Sequence, residues 1–148
     1  MIINCTELTN NIVEDKNINE FFKEAFFFDI ETTGLSHKYS RIISISVLLF
    51  ENKTFRIYQL FCEHKTDEKE MIKYFREYIK NRKYIITYNG NTFDIPFIIN
   101  KAMQFNINCN LNEFVKIDLY SEMRYLKNKI NIENLKLKTV EEYFNIKR

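Results

Sequence analysis

The order of its hydrophobic patterns constrains the fold of this chain most strongly. Three runs that suit buried β-strands follow one another at residues 25–30, 42–50 and 55–62. Two more strand-like runs, 84–88 and 114–119, alternate with stretches whose apolar residues recur at helical spacing. Consecutive strands joined by turns pair antiparallel, whereas strands joined through helices pair in parallel. We therefore predict an α/β fold with a five-stranded mixed sheet, three antiparallel strands and then parallel strands, flanked by helices.

The details of these runs add to that prediction. In the second predicted strand, apolar and polar side chains alternate between the two faces. The apolar face has Ile43, Ile45, Val47 and Leu49, and the other face has Ser44 and Ser46. The polar residues 51–53 that follow predict a hairpin turn. Residues 1–24 are polar with a short apolar end, Ile18, Phe21 and Phe22, where we expect a helical turn before the first strand. Helices are expected at 71–79, 95–105, 120–129 and 139–146.

Length and composition narrow the class of protein. With 148 residues, 45% of them apolar, the chain is expected to form a single domain over residues 1–148 with a real core. No apolar run approaches the roughly 18–20 residues that span a bilayer, so we expect no membrane association. Three cysteines far apart, Cys5, Cys62 and Cys109, suit reduced thiols in the cytoplasm better than disulfides or a zinc site. A net charge of +2 does not by itself indicate nucleic acid.

The rarest residues mark two places in the chain. Its two glycines, Gly34 and Gly90, each follow a predicted strand and lie beside acidic residues, and its one proline, Pro96, comes shortly after the second. A chain so poor in glycine is expected to use it where φ is positive or where backbone approaches closely. Two ordinary turns at strand ends would give the same pattern, so both interpretations remain open at this point.

A pair of acidic residues ends the first predicted strand. Asp29 and Glu31 are two residues apart, and such residues point to the same side of a strand. Two neighbouring carboxylates repel each other unless a cation or a proton compensates them. Oxygen ligands without His or Cys suit Mg²⁺ or Mn²⁺ better than zinc. The alternative is a pair of hydrated surface acids.

Two further aspartates follow later strands. Asp94 precedes a predicted helix and Asp118 ends the fifth predicted strand, also before a helix. Aspartate is among the best N-terminal helix caps, so capping alone would account for both residues.

The motifs around these acids resemble a known family. Phe28-Asp29-Ile30-Glu31-Thr32-Thr33-Gly34-Leu35 resembles the first motif of the DEDD-type 3′→5′ exonucleases, a group within the ribonuclease H-like superfamily. Asn89-Gly90-Asn91-Thr92-Phe93-Asp94 resembles their second motif. Asp118-Leu119-Tyr120 and the tail from 135 to 148 resemble the YprB-like branch in particular.

This resemblance implies a metal-dependent phosphodiesterase that uses two Mg²⁺ or Mn²⁺ ions. In it, Asp29 bridges both ions, Glu31 binds one ion and orients the attacking water, and Asp94 holds the second ion. Asp118 is a possible additional ligand. The residues implied to line the pocket for the 3′-terminal nucleotide are Thr32, Thr33, Gly34, Leu35, Asn89 and Phe93.

The third motif of that family is not present in this chain. It would supply a last metal-binding Asp, preceded by a Tyr or His, on a helix after the fifth strand, yet Asp118 is the last aspartate. We expect the chain to be incomplete at its C-terminus, with the alternatives of a natural short form or a site completed by a partner chain. Activity is then expected to be weak or absent. An uncovered apolar sheet face would favour self-association.

Three functions compete at this stage. The first is cleavage at the 3′ ends of single-stranded DNA or RNA. The second is a module with a ribonuclease H-like fold that binds nucleic acid without cleaving it, and the basic region 116–148, with eight basic and five acidic residues, would serve it. The third is an interaction domain that does not bind nucleic acid.

Overall fold

The computed structural model describes residues 1–8 and 15–146 of the chain. Residues 9–14 of the polar N-terminal stretch and the basic pair at 147–148 lie outside the described residues. The elements in chain order are β1 Ile2–Leu8, α1 Lys16–Glu24, β2 Ala25–Thr32, β3 Ile42–Glu51, β4 Thr54–Phe61, α2 Asp67–Ile79, β5 Tyr84–Thr87, α3 Asp94–Gln104, β6 Val115–Asp118, α4 Leu119–Leu126 and α5 Leu137–Tyr143. A 3₁₀-helix at Leu111–Glu113 precedes β6.

The strands form one mixed sheet in the order β1-β4-β3-β2-β5-β6. β2, β3 and β4 pair antiparallel, and β5 and β6 are added in parallel to β2, as the sequence predicted. The predicted number of five strands is wrong, because β1 adds a sixth strand beside β4. β1 lies at the sheet edge and is exposed along nearly all its length. It therefore lacks the apolar alternation by which a half-buried strand is recognised.

The hairpin between β3 and β4 is confirmed at the predicted place. Its two central residues, Asn52 and Lys53, have φ values of 52° and 67°. Positive φ at both positions is the geometry of the type I′ turn, whose twist matches that of the strands it joins.

One face of the sheet carries the core. Phe28, Val47, Ile45 and Leu60 point to this face and are buried against α2 and α3. The helices contribute a matching set of buried residues, including Met71, Ile72, Phe75, Ile79, Ile95, Phe97, Ile98 and Ala102. Of the apolar face predicted for β3, Ile43 is the exception and is substantially exposed, while Ile42 is buried in its place. The pairing of β2 with β3 shifts by one position at this end of the strands, where Thr32 pairs with Ile42.

A buried ion pair joins β3, α2 and α3 beside this core. Lys101 Nζ lies 3.6 Å from Glu68 Oε1, and both side chains are almost completely buried. The same oxygen accepts a hydrogen bond of 2.8 Å from the backbone N–H of Ile42. The start of β3 is thereby connected to the two helices that cover the core face.

The opposite face is only partly covered. Phe22 of α1 packs against Phe27, Phe50 and Phe55 at one end of this face. Among the described residues, no helix is long and apolar enough to cross a membrane.

Candidate metal and nucleic-acid site

The acidic pair Asp29 and Glu31 lies at the end of β2, on the partly covered face of the sheet. Asp29 is paired with Ser46 and Glu31 with Ser44 of β3, so small polar side chains accompany the two acids. The core-facing neighbour Ile30 is buried, whereas both acidic residues are exposed. Partial burial, followed by the nearby charge of Glu31, raises the pKa of Asp29 above its ordinary value.

Asp94 approaches the same pair from the start of α3. One of its carboxylate oxygens accepts a hydrogen bond of 3.1 Å from the backbone N–H of Ile30, the residue between Asp29 and Glu31. Asp94 is the first residue of the helix, with Phe93 at the N-cap position, so the aspartate does not act as the cap. Burial raises the pKa of Asp94 to about 6, and the charge of Asp29 contributes in the same direction. The second motif therefore meets the first in space.

The charges of these three carboxylates are not compensated by basic side chains. None of the ion pairs formed within residues 1–8 and 15–146 includes Asp29, Glu31 or Asp94. Each of Asp29 and Asp94 instead experiences repulsion from a neighbouring carboxylate. Neighbouring carboxylate oxygens of this kind, with no basic side chain paired to them among the described residues, fit a hard divalent metal ion.

These carboxylates can supply only some of the ligands of a metal ion. Among the described residues, no group of three or more His, Cys, Asp or Glu side chains is close enough to hold an ion together. Mg²⁺ commonly uses only one or two protein carboxylates and completes its shell with waters and substrate phosphates. The pair on β2, with Asp94 beside it, matches that more open type of site.

Asp118 occupies a different position, behind the loop that precedes Asp94. It ends β6 and is buried, and its carboxylate accepts three backbone hydrogen bonds. Oδ1 accepts from Asn89 N at 2.8 Å and from Tyr120 N at 3.0 Å, and Oδ2 accepts from Asn91 N at 3.0 Å. Capping of α4 through Tyr120 was an open alternative in the sequence and is observed. The bonds to the 89–91 loop could not be inferred from the sequence.

The 89–91 loop has a residue with positive φ, Asn89, and a glycine packed closely against Thr87. Asn89 has φ of 66°, and both its carbonyl and its side-chain oxygen accept from the hydroxyl of Thr92. Gly90 does not have positive φ. A Cβ there would lie 2.5 Å from the Cβ of Thr87, so close approach is the reason for this glycine. Phe93 is half-buried against Phe97, with ring centroids 5.5 Å apart.

The remaining residues predicted to contact the substrate lie at the end of β2 and in the loop that follows it. The hydroxyl of Thr32 donates to Gly34 O, and that of Thr33 accepts from Arg41 N, so both threonines stabilise the loop. A Cβ at Gly34 would come 2.8 Å from Ser40 Oγ, which again indicates close packing. Leu35 projects from this loop and is 87% exposed.

An apolar groove of about 450 Å³ runs beside Asp29 on the same face. Its floor is a row of laterally paired side chains, one from each of four neighbouring strands: Ile57, Leu48, Phe27 and Ile86. Leu119 and Leu137 flank it. The uncovered apolar surface expected from the sequence therefore exists, directly next to the acidic pair.

Tyr88 borders this groove and was not singled out by the sequence. Its hydroxyl donates a hydrogen bond of 2.6 Å to Leu135 O, and its ring packs edge-on against Tyr120. The contact connects the end of β5 to the segment before α5. Nothing in the sequence around Tyr88 predicts this contact.

A six-stranded mixed sheet, flanked by helices and with acidic side chains at the end of an inner strand, defines a ribonuclease H-like domain. Residues 26–148 match a family model described as the RNase H superfamily. The chain belongs to the RNase H superfamily.

Individual relatives agree with this assignment. A DNA polymerase of Orgyia pseudotsugata multicapsid polyhedrosis virus is 26% identical over 79% of this chain. The fold is similar to that of exonuclease I from Methylocaldum szegediense (TM-score 0.70, 15% identity, 84% of this chain). It is also similar to E. coli exonuclease I in complex with an oligonucleotide (TM-score 0.67, 13% identity, 82% of this chain). The chain spans 17% of the polymerase and 36% of each exonuclease.

Proposed function

We propose that this domain hydrolyses phosphodiester bonds at the 3′ ends of single-stranded DNA or RNA, with Mg²⁺ or Mn²⁺ as cofactor. The observation that carries the proposal is the meeting of Asp29, Glu31 and Asp94 without a basic partner in the described part of the chain. If these residues were only hydrated surface acids, there would be no reason to bury Asp94 against a strand that already carries two acids. The exonuclease folds to which the domain is similar support the same assignment.

Each acidic residue has a separate role in this proposed reaction. Asp29 and Glu31, open to solvent on β2, would hold the ions through their carboxylate oxygens, and Glu31 would also orient the water that attacks phosphorus. Asp94, held by Ile30 N–H, completes the acidic side of the site from α3. When bound, the metal ions would stabilise the attacking and leaving oxygens of an in-line displacement. Leu35 and Phe93 offer apolar surface for the terminal base, with Thr32, Thr33, Gly34 and Asn89 shaping the pocket around it.

We further propose that the fourth carboxylate of a complete site comes from a helix that packs into the apolar groove. The groove lies along Asp29, so a side chain from such a helix would reach the ions. Residues 1–148 alone would then cleave slowly, because an incomplete shell leaves the ions poorly fixed. A second copy of the chain covering the groove would instead give self-association. Membership of the YprB-like branch and a cytoplasmic location remain predictions.

The decisive experiment follows a 5′-labelled single strand incubated with the protein and Mn²⁺ or Mg²⁺. We expect stepwise shortening from the 3′ end that Asp29→Asn abolishes. Glu122→Gln, an exposed acid on α4, is the matched control and should retain the activity. The same products from the chain and from Asp29→Asn would refute the proposed site.

Metal binding has a readout that does not depend on cleavage. At neutral pH, Mn²⁺ should raise the melting temperature of the protein, since a ligand that binds only the folded state stabilises it. The shift should disappear in Asp29→Asn and persist in Glu122→Gln. Equal shifts in all three proteins would place the bound ion elsewhere.

Binding without cleavage is the second candidate function, and one observation favours it. On α4 the exposed Tyr125 ring lies 4.9 Å from Lys129 Nζ, within the basic region 116–148. Such a surface binds single strands through stacking and charge. Retention of a labelled strand with no shortening in either metal would support this function over the first.

A further inference from the structure

The loop from Thr33 to Arg41, which connects β2 and β3, is fastened at several points. Its ends are joined by a backbone bond of 2.9 Å from Thr33 N to Arg41 O. Inside the loop, Ser40 N donates to Ser36 O at 2.7 Å. Gln104, at the end of α3, donates to His37 O at 3.3 Å. These bonds fasten the loop to itself and to the C-terminal end of α3.

Two large side chains of this loop are nevertheless exposed to solvent. Tyr39 is 80% exposed and Leu35 is 87% exposed, four residues apart in the chain. Lys38 Nζ lies 5.1 Å from the centroid of the Tyr39 ring. An exposed aromatic ring with a cation beside it, on a rigid loop, offers both a stacking surface and a charge for an anion.

The position of the loop relates these side chains to the acidic site. Thr33 follows Glu31 by two residues, and Arg41 is bonded to Thr33. Tyr39 precedes Arg41 by two residues, so their Cα atoms are separated by at most about 7 Å. His37, two residues before Tyr39, packs its ring against Phe97 of α3 at 6.4 Å. The loop that carries the exposed pair therefore begins two residues after Glu31 and packs along α3, the helix that begins with Asp94.

We propose that Tyr39 and Lys38 form a second nucleotide subsite, for the nucleotide before the one at the 3′ end. Its base stacks on the Tyr39 ring and its phosphate binds the Lys38 ammonium. This inference rests on the proposed function, because it takes the terminal nucleotide to lie at Leu35 and the acidic pair. The subsite gives affinity for single strands of any sequence, since every base has a stacking face and the ammonium reads only charge.

Binding is best measured in the full chain carrying Asp29→Asn, so that the strand is not consumed. The probe is a fluorescein-labelled deca-thymidylate followed by fluorescence anisotropy. Tyr39→Ala should raise the Kd at least fivefold, in line with the roughly 1–3 kcal/mol that stacking on an aromatic side chain contributes per base. Tyr39→Phe retains the ring and should stay within about twofold. Lys38→Gln should lower the slope of log Kd against log salt by about 0.7.

The chain offers a matched control in another exposed tyrosine beside a lysine, Tyr74 and Lys73 on α2, the helix that covers the core face of the sheet. Tyr74→Ala and Lys73→Gln change the same side-chain chemistry and should alter the Kd less than twofold. Because Tyr39 is 80% exposed, Tyr39→Ala and Tyr39→Phe should leave the melting temperature unchanged. Equal weakening by Tyr39→Ala and Tyr74→Ala would overturn the subsite.

Activity assays separate this inference from the proposed function. In chains with Asp29 intact, Tyr39→Ala should raise KM for the oligonucleotide and change kcat much less. Cleavage with an unchanged KM and Kd in Tyr39→Ala would overturn the subsite and leave the exonuclease standing. A Kd that depends on Tyr39 in a chain that shortens no strand would support the subsite and refute the exonuclease. Absence of both binding and cleavage would refute both.

Discussion

The carboxylate of Asp94 accepts a hydrogen bond from the backbone N–H of Ile30 at 3.1 Å. Ile30 stands between Asp29 and Glu31, so this bond fixes the start of α3 against the strand that carries both acids. Burial of the Asp94 carboxylate raises its pKa to about 6, well above the value of 3.8 expected in an unfolded chain. The bond thus connects the two acidic motifs and partly stabilises the Asp94 charge, whereas burial, the larger effect, destabilises it.

A dependence of stability on pH follows from that raised pKa. The folded protein holds a proton on Asp94 that the unfolded chain releases, so this contribution is complete below about pH 4 and is lost as pH rises through about 6. Asp94→Asn should therefore match the unaltered protein at pH 4 and exceed its unfolding free energy by about 1–2 kcal/mol at pH 8. Urea titrations at both pH values, without divalent metal, measure this difference.

Glu133→Gln, an exposed acid before α5, is the control and should show no such dependence on pH. If Asp94→Asn is less stable than the unaltered protein at pH 8, the carboxylate is not destabilised by burial in the way described.

The three backbone bonds to Asp118 predict a second effect on stability. Asp118→Ala removes every acceptor for Asn89 N, Asn91 N and Tyr120 N, and we expect a loss of about 3–5 kcal/mol. Asp118→Asn keeps one oxygen but directs an NH₂ group at one of these donors, so its loss should be smaller. Urea unfolding of both variants gives the order. Equal losses would mean that the bonds to the 89–91 loop contribute little.

The buried ion pair gives a third prediction. Lys101→Met leaves the Glu68 carboxylate buried without its cation, which should cost about 3–5 kcal/mol. Adding Glu68→Leu should restore only part of this, because Ile42 N then lacks its acceptor.

The exposed pair of Lys73 and Glu70 on α2, 3.1 Å apart, provides the matched comparison. Lys73→Met should change the unfolding free energy by less than about 1 kcal/mol in urea titrations. A similar small change for Lys101→Met would show that water reaches Glu68.

The two glycines should respond differently to alanine. At Gly90 the close atoms are the Cβ, Oγ1 and Cγ2 of buried Thr87, at 2.5, 2.6 and 2.7 Å, so Gly90→Ala should cost about 1–3 kcal/mol. Thr87→Ala should relieve this only in part, because the Thr87 Cβ remains. At Gly34 the close atom is Ser40 Oγ, at 2.8 Å, with the Ser40 Cβ at 3.7 Å. Gly34→Ala should therefore be milder, and Ser40→Ala should relieve it. Thermal melts of the single and double variants test the contrast.

Local patterns determined which segments form the central strands and main helices. Alternation identified the core face of β3 through Ile45 and Val47, and the short polar stretch after it identified the hairpin. The spacing of Asp29 and Glu31 likewise required both to share one face of β2. These features depend on neighbours a few residues apart, which the sequence displays directly.

The acidic residues could be recognised in the sequence, but the groups that each of them contacts could not. Asp94 and Asp118 looked alike, each after a strand and before a helix, yet one meets Ile30 N and the other the 89–91 loop. Those partners are 64, 29 and 27 residues away in the chain. Strand β1, with almost nothing buried, was missed for a related reason, since only its pairing with β4 defines it.

The sequence by itself therefore determined the order of strands and helices from β2 onwards and the acidic motifs at the strand ends, because both depend on residue types at short spacing. The tertiary structure decided the pairing of the sixth strand, the different contacts of Asp94 and Asp118, the buried pair of Glu68 and Lys101, and the attachment of the 33–41 loop to α3. Those features depend on which distant backbone groups and side chains come into contact, and only the packed sheet and helices fix that.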